Sequence, residues 1–119
     1  MTYAEVASMV AEIGLDYAYY EFPDDTQKQL PFVCFLFTGS DDAYADNINY
    51  VDKRTLVIEL YTRNKDFETE ETVRGVLLSH KLAFTQADDY LHDEQCYITT
   101  FTTQVIITPA TPSQSTEVE

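Results

Sequence analysis

Residues 50–62 constrain this chain more than any other stretch. Within them Leu56, Ile58 and Leu60 alternate with Val57, Glu59 and Tyr61. Successive side chains of a strand point to opposite faces, so this alternation predicts a long strand with one clearly apolar face. Such a face must be buried against a second layer.

The rest of the chain supplies that layer in a readable order. Residues 2–13 are expected to be a helix. Thr2 and Glu5 have capping-box spacing, Tyr3, Val6, Val10 and Ile13 form an apolar stripe, and Gly14 is a natural stop. Residues 17–22 (YAYYEF) read as a strand broken by Pro23-Asp24-Asp25, with a loop over 24–29. Pro31 opens the run PFVCFLF, expected to be a strand buried on both faces and ended by Gly39-Ser40-Asp41-Asp42. A long polar loop follows over 39–49. A second helix is expected from Asn64 or Asp66 to about His80. Acids crowd its first turns and His80 and Lys81 close it, which complements the helix dipole. Phe67, Val73, Val76, Leu77 and His80 can share one face, and Glu70 and Arg74 are spaced for an i,i+4 pair. Residues 82–91 and 95–107 read as a hairpin turning near His92-Asp93-Glu94. The alternation weakens at Thr99-Thr100 and Thr102-Thr103, which suggests a bulge or a strand with no dry face.

Together these elements predict an α+β domain over residues 1–108 in the order α-β-β-β-α-β-β. About five strands form a mostly antiparallel sheet with two helices packed on it. Residues 109–119 (PATPSQSTEVE) read as a flexible acidic tail. A length of 119 residues fits one domain with one core.

The net charge is −14, and its distribution is uneven. All seven bases lie between Lys28 and Lys81, so residues 1–27 and 82–119 carry acids alone. This argues against direct binding to nucleic-acid phosphates or anionic lipid. No apolar run approaches the roughly 20 residues that span a bilayer. Met1 to Glu5 lacks the basic stretch of a secretory signal, so a cytosolic, reducing compartment is expected. Cys34 and Cys96 are then expected as free thiols.

The candidate chemistries are weak. The pairs Asp24/Asp25, Asp41/Asp42 and Asp88/Asp89 are adjacent residues that point apart in a strand or loop, so a solvated surface outweighs acid–base catalysis. Asp41, Asp42 and Asp46 lack the oxygen spacing, central Gly and closing Glu of an EF-hand loop. Cys34, His80, His92 and Cys96 are scattered and contain no C-x-x-C, which makes a poor zinc set. Phe35, Val33 and Leu36 around Cys34 offer no base to activate a nucleophile. Three glycines form no phosphate loop. No enzymatic activity and no cofactor are expected.

The segments MTYAEV, YYEFP, LPFVCFLFTGSDD, Tyr50, LVIELYTRNKD and YLHDEQCYITTFTTQVII, in that order, resemble tail terminator proteins of long-tailed phages and prophages of Gram-positive bacteria. These are also called tail completion or tail-to-head joining proteins. The likeness covers about residues 1–108. It rests on Tyr20, Phe22, Pro23, Pro31, Asp41, Tyr50, Glu59-Leu60-Tyr61-Thr62, Lys65-Asp66 and Tyr97. Cys34, Cys96 and the Thr-rich last strand depart from the family's pattern.

The resemblance implies a virion protein, assembled in the host cytoplasm, whose protomers form a hexameric ring. That ring caps the tail tube and joins it to the head connector or head-closure protein. DNA passes through without specific binding, no membrane is involved, and the family lends no catalytic residues. Edge strands and many aromatic rings suit subunit contacts. In the loop Gly39–Asn49, Asp41, Asp42, Tyr44 and Asp46 are the candidate interface residues. Rival readings are another neck or head-completion protein, an acidic DNA mimic that inhibits a host enzyme, and a small enzyme.

Overall fold

A computed structural model describes residues 1–20, 29–40 and 52–108. The elements are α1 (Tyr3–Ala11), β1 (Asp16–Tyr19), β2 (Phe32–Ser40), β3 (Asp52–Thr62), α2 (Phe67–Ser79), β4 (Phe84–Leu91) and β5 (Cys96–Ile107). The expected α+β order holds. The five strands lie in the spatial order β1-β2-β3-β5-β4. Every neighbouring pair is antiparallel except β1–β2, which is parallel. Among the described residues the sheet edges are therefore β1 and β4.

Local chemistry explains the helix ends. Thr2 Oγ1 accepts from the Glu5 amide at 3.1 Å, and the Glu5 carboxylate accepts from the Thr2 amide at 2.8 Å, which completes the capping box. Gly14 follows α1 at φ +90°, a conformation a side chain would strain. Asp66 caps α2 by accepting from the Thr69 amide at 3.1 Å and the Thr69 hydroxyl at 2.7 Å. These bonds, the hydroxyl's first, hold the Asp66 carboxyl below its ordinary pKa.

The core lies between the helices and one face of the sheet. Val6, Met9, Val10 and Ile13 of α1 and Val73 and Leu77 of α2 pack on Val33, Phe35, Leu56, Ile58, Leu60, Phe101, Val105 and Ile107. The strand registers put these sheet residues on the same side: Phe35 pairs with Ile58, and Ile58 with Phe101.

Several expectations are corrected. β2 is a central strand whose Val33/Phe35 side is covered by the helices, while on its other side Cys34 is buried and Phe32 and Leu36 are half-buried. It also continues past the expected stop to Ser40. A register shift at Thr38/Ser40 around Gly39 (φ +65°) absorbs the turn residues. The threonines of β5 cause no bulge: its pairing with β3 runs unbroken from Tyr97 to Ile107. Thr99 and Thr103 are buried on the core side, and Thr100 and Thr102 face away, so the residue type hides an intact alternation. In α2, Phe67 is 69% exposed and leaves the predicted stripe, whereas Glu70 enters it at 2% exposure. Glu70 pairs with Lys65, while Arg74 pairs with Glu71 and donates to Gln86, so the expected Glu70–Arg74 pair does not form. No described helix is long and apolar enough to cross a membrane.

Candidate functional site

The most distinctive described surface is an aromatic groove at the β1 edge. Tyr17 and Tyr19 alternate on β1 with Ala18, so both rings lean to the helix side of the sheet. Tyr19 pairs in register with Phe35 and meets its ring edge-on at 5.3 Å. Tyr3, at the start of α1, meets Phe37 edge-on at 5.1 Å. Edge-to-face contacts place the positive ring edge on a negative ring face. Tyr20 takes φ +71°, and its amide donates to the Phe35 carbonyl at 2.7 Å, which closes the strand end. Tyr3, Tyr19, Phe35, Phe37 and Arg54 line a groove of about 410 Å³. It presents ring faces and phenol hydroxyls with the Arg54 side chain in its wall, which is the chemistry of a contact surface. A second groove, of about 550 Å³, lies at the start of β4, walled largely by threonines with Phe84 and Lys81.

A polar cluster pins α2 to the β4–β5 end of the same sheet face. The Glu70 carboxylate accepts from Lys65 Nζ at 2.7 Å, Gln86 Nε2 at 3.2 Å and Thr99 Oγ1 at 3.4 Å. Lys65 also reaches Asp88 at 3.0 Å. Burial alone would lower the Lys65 ammonium, but hydrogen bonds and charge from Glu70 and Asp88 raise it above its ordinary pKa. A satisfied buried carboxylate of this kind ties elements together and offers no free acid or base.

Among the described residues, the sequence-predicted residues are not brought together into one site. Asp41, Asp42, Tyr44 and Asp46 lie outside the described residues, as do Asp24 and Asp25. Asp88 faces Lys65, while Asp89, on the opposite side of β4, accepts from the Tyr90 amide at 2.8 Å. Cys34 and Cys96 are free and buried. Both point to the face away from the helices, on strands that flank β3. The register puts Cys34 level with Thr100, four residues from Cys96, so two strand spacings across and about 13 Å along the strands separate them by roughly 16 Å, beyond the reach of a disulfide. Burial, then Glu94, pushes the Cys96 thiol above its ordinary pKa. His80 Nε2 sits 3.1 Å from Glu12 and joins the ends of the two helices. His92 stacks edge-on against Tyr90. Among the described residues no three His, Cys, Asp or Glu side chains cluster to hold a metal.

No family model matches the sequence, and no curated protein matches it. Among solved structures, a chain of the virion of a native gene transfer agent particle has the same fold. The TM-score is 0.52 at 13% identity, over 85% of this chain and 84% of that one. At that identity the likeness is one of fold.

Sequence reasoning missed the aromatic groove and the Glu70 cluster. The YAYY spacing carried a signal for the groove, since two tyrosines on one side of a short strand with a polar flank mark an exposed edge. Glu70 carried none that spacing could distinguish from a solvated acid.

Proposed function

We propose that this chain is a structural protein of a long-tailed phage-type virion, a tail terminator that closes the tail tube and joins it to the head. The observation that carries this reading is the shared fold, nearly end to end, with a chain of a gene transfer agent virion. The ordered sequence segments of the tail terminator family support the finer assignment. In this reading six copies form a ring, the tube protein binds one rim and the head connector the other, and the chain catalyses nothing. The −14 charge has a role in such a ring: acidic walls repel phosphates, so the genome slides through without binding. The two edge strands, β1 and β4, lie at opposite ends of the sheet, and contacts between unlike ends can close a ring by rotation.

The test is light scattering with negative-stain imaging of the purified protein, alone and with tail tubes assembled without it. Six-fold rings, free or on tube ends, are the expected result. A protein that neither forms rings nor caps tubes refutes the proposal. A dimer that binds a host DNA enzyme and is displaced by DNA would instead establish the acidic-decoy reading.

A further inference from the structure

Among the described residues, β4 is a long open edge. Residues 85–89 are all exposed, and the pairing of β4 with β5 is unbroken from Phe84 to Leu91. Such an edge presents unused backbone donors and acceptors unless something covers it. Alternate residues of an edge strand turn their N–H and C=O groups out of the sheet. The Tyr90 amide donates to the Asp89 carboxylate at 2.8 Å rather than across to β5, so the even-numbered residues are the outward ones. That bond closes one end of the row. The Leu82 amide, which donates to the Leu77 carbonyl at 3.0 Å, closes the other. The outward groups of Phe84, Gln86 and Asp88 remain, a short row centred on Gln86.

One flank of α2 overhangs this edge. Glu70 accepts from Gln86 on β4 and from Thr99 on β5, so the helix runs above the gap between those strands. On one flank His80 reaches Glu12 at the end of α1, and on the other Arg74 donates to Gln86 at 2.8 Å. The Arg74 flank carries Phe67, Glu71, Arg74 and Leu78, whose i, i+4, i+7, i+11 spacing makes one stripe. Phe67 and Leu78 are 69 and 60% exposed, although the Phe67 ring has Lys65 Nζ 5.2 Å from its centre.

We propose that two free copies of this chain join at this edge about a two-fold axis, β4 antiparallel to β4 and α2 antiparallel to α2. Symmetry is the first argument, since an isologous contact needs a self-complementary surface. Read in reverse, the stripe is its own complement: Phe67 falls against Leu78 of the partner subunit, and Glu71 against Arg74 of the partner subunit. This needs no free cation. Each Arg74 bonds Glu71 of its own copy, and the axis joins the two pairs into a square of alternating charge. The second argument is that one axis serves both layers. The stripe is symmetric about the midpoint of residues 72 and 73, and the open row about Gln86. Gln86 bonds both Glu70 and Arg74, so the two centres lie at one level. Spacing is the third. Paired strands lie about 4.8 Å apart, so a helix above the β4–β5 gap stands about 4.8 Å from the axis. The two helices are then about 10 Å apart, the distance of packed helices. The acids of β4 do not collide. Asp88 falls opposite Phe84 of the partner subunit, roughly 14 Å along the strand from its own mate, and Lys65 already faces it. An edge about 27 Å long and two layers high, about 20 Å, buries roughly 500 Å² per copy. That is near the lower bound of a specific contact, so the dimer depends on concentration. In the ring reading β4 meets an unlike end, so this dimer is a form the chain leaves on assembly.

The experiment uses the full chain and two variants at exposed positions, Phe67→Lys and Leu78→Glu, each checked for native circular dichroism. Sedimentation equilibrium at about 0.15 M salt, from about 1 μM to 1 mM protein, reads the association. The wild type is expected to dimerise within that range. Each variant alone should dimerise at least about 10-fold more weakly, even though F67K lowers the net negative charge. Mixed one to one, the two should recover to within about threefold of wild type, because the new base and the new acid meet across the axis. Amide exchange followed by nuclear magnetic resonance should show Phe84, Gln86 and Asp88 protected in concentrated protein and open in dilute protein. A wild type monomeric up to about 1 mM would overturn the proposal, as would an oligomer that neither variant weakens. So would a mixture no tighter than the variants alone, or a dimer in which those amides exchange as freely as in the monomer. None of these results bears on whether the chain caps tail tubes, which is read separately.

Discussion

Removing the Lys65 ammonium should destabilise the domain through Glu70, a residue that Lys65 itself barely needs. The Glu70 side chain is 3% exposed and the Lys65 side chain 26%. In Lys65→Met the aliphatic stem stays, but Glu70 keeps only the neutral donors Gln86 and Thr99. Stranding one partner of a fully buried pair costs about 3–5 kcal/mol. Partial access of water to the Lys65 site reduces the expected loss to about 2 kcal/mol. Asp88 also loses a partner, but it is exposed and rehydrates at little cost. Glu70→Leu alone should cost about 1–2 kcal/mol, because Gln86 and Thr99 lose an acceptor and Lys65 keeps Asp88. The double variant K65M/E70L removes both charges and should lie within about 1 kcal/mol of wild type, well short of the sum. Urea unfolding followed by circular dichroism, with an unchanged slope, reads all four free energies. A K65M loss below about 0.5 kcal/mol, or additive single effects, would refute the claim that Glu70 is a charged, paired anchor.

Three further outcomes follow from single groups. Thr62 Oγ1 is buried with no hydrogen-bond partner among the described residues, so Thr62→Val should stabilise the domain by about 1 kcal/mol in the same assay; a loss would mean the hydroxyl is satisfied. The Asp66 carboxyl titrates lower when folded, so its contribution is full above the ordinary value of 3.8 and is lost as pH falls through the lowered value. Asp66→Asn keeps the cap, and should lose about 0.3–1 kcal/mol near neutrality and nothing at the acid end, read as two stability–pH curves that converge below pH 3.8. Cys34 and Cys96 should react with an aromatic disulfide reagent only through opening of the sheet, so native labelling should be slow and 6 M urea should release two fast thiols; one fast native thiol would contradict their burial.

What was legible in the sequence depended on whether the controlling contact is local. The Thr2–Glu5 box, the Gly14 stop, the Asp66 cap and the alternation of Leu56, Ile58 and Leu60 are decided within a few residues, and each was readable. Which face of PFVCFLF is covered depends on where α1 and α2 land, and composition alone made both faces look interior. Glu70 falls at the stripe spacing of Val73 and Leu77, but a charged residue is read as solvated unless its distant partners Gln86 and Thr99 are known. The threonines of β5 obscured the alternation because Thr is at home on either face, while the actual irregularity sits at Gly39, where it looked like a chain turn. The candidate loop residues Asp41, Asp42, Tyr44 and Asp46 follow from the polarity of their segment and lie outside the described residues. The aromatic groove instead needs β1, β2 and α1 assembled before Tyr3, Tyr19 and Phe37 meet.

The net charge makes a prediction about salt for the proposed ring. Two bodies of charge −14 with centres about 30 Å apart repel by about 27 kcal/mol in unscreened water, counted as point charges. A Debye length of about 30 Å at 0.01 M salt leaves roughly 10 kcal/mol of this, and one of about 8 Å at 0.15 M leaves less than about 1. Spreading the charge over a surface shrinks both figures but keeps their order. The contacts that join the copies must outweigh what remains. Association should therefore tighten at least 100-fold as salt rises from about 0.01 to 0.15 M, measured by sedimentation equilibrium. It should then change little up to 0.5 M. Association that weakens over the first interval would show instead that complementary charges between copies drive the contact and outweigh the net repulsion.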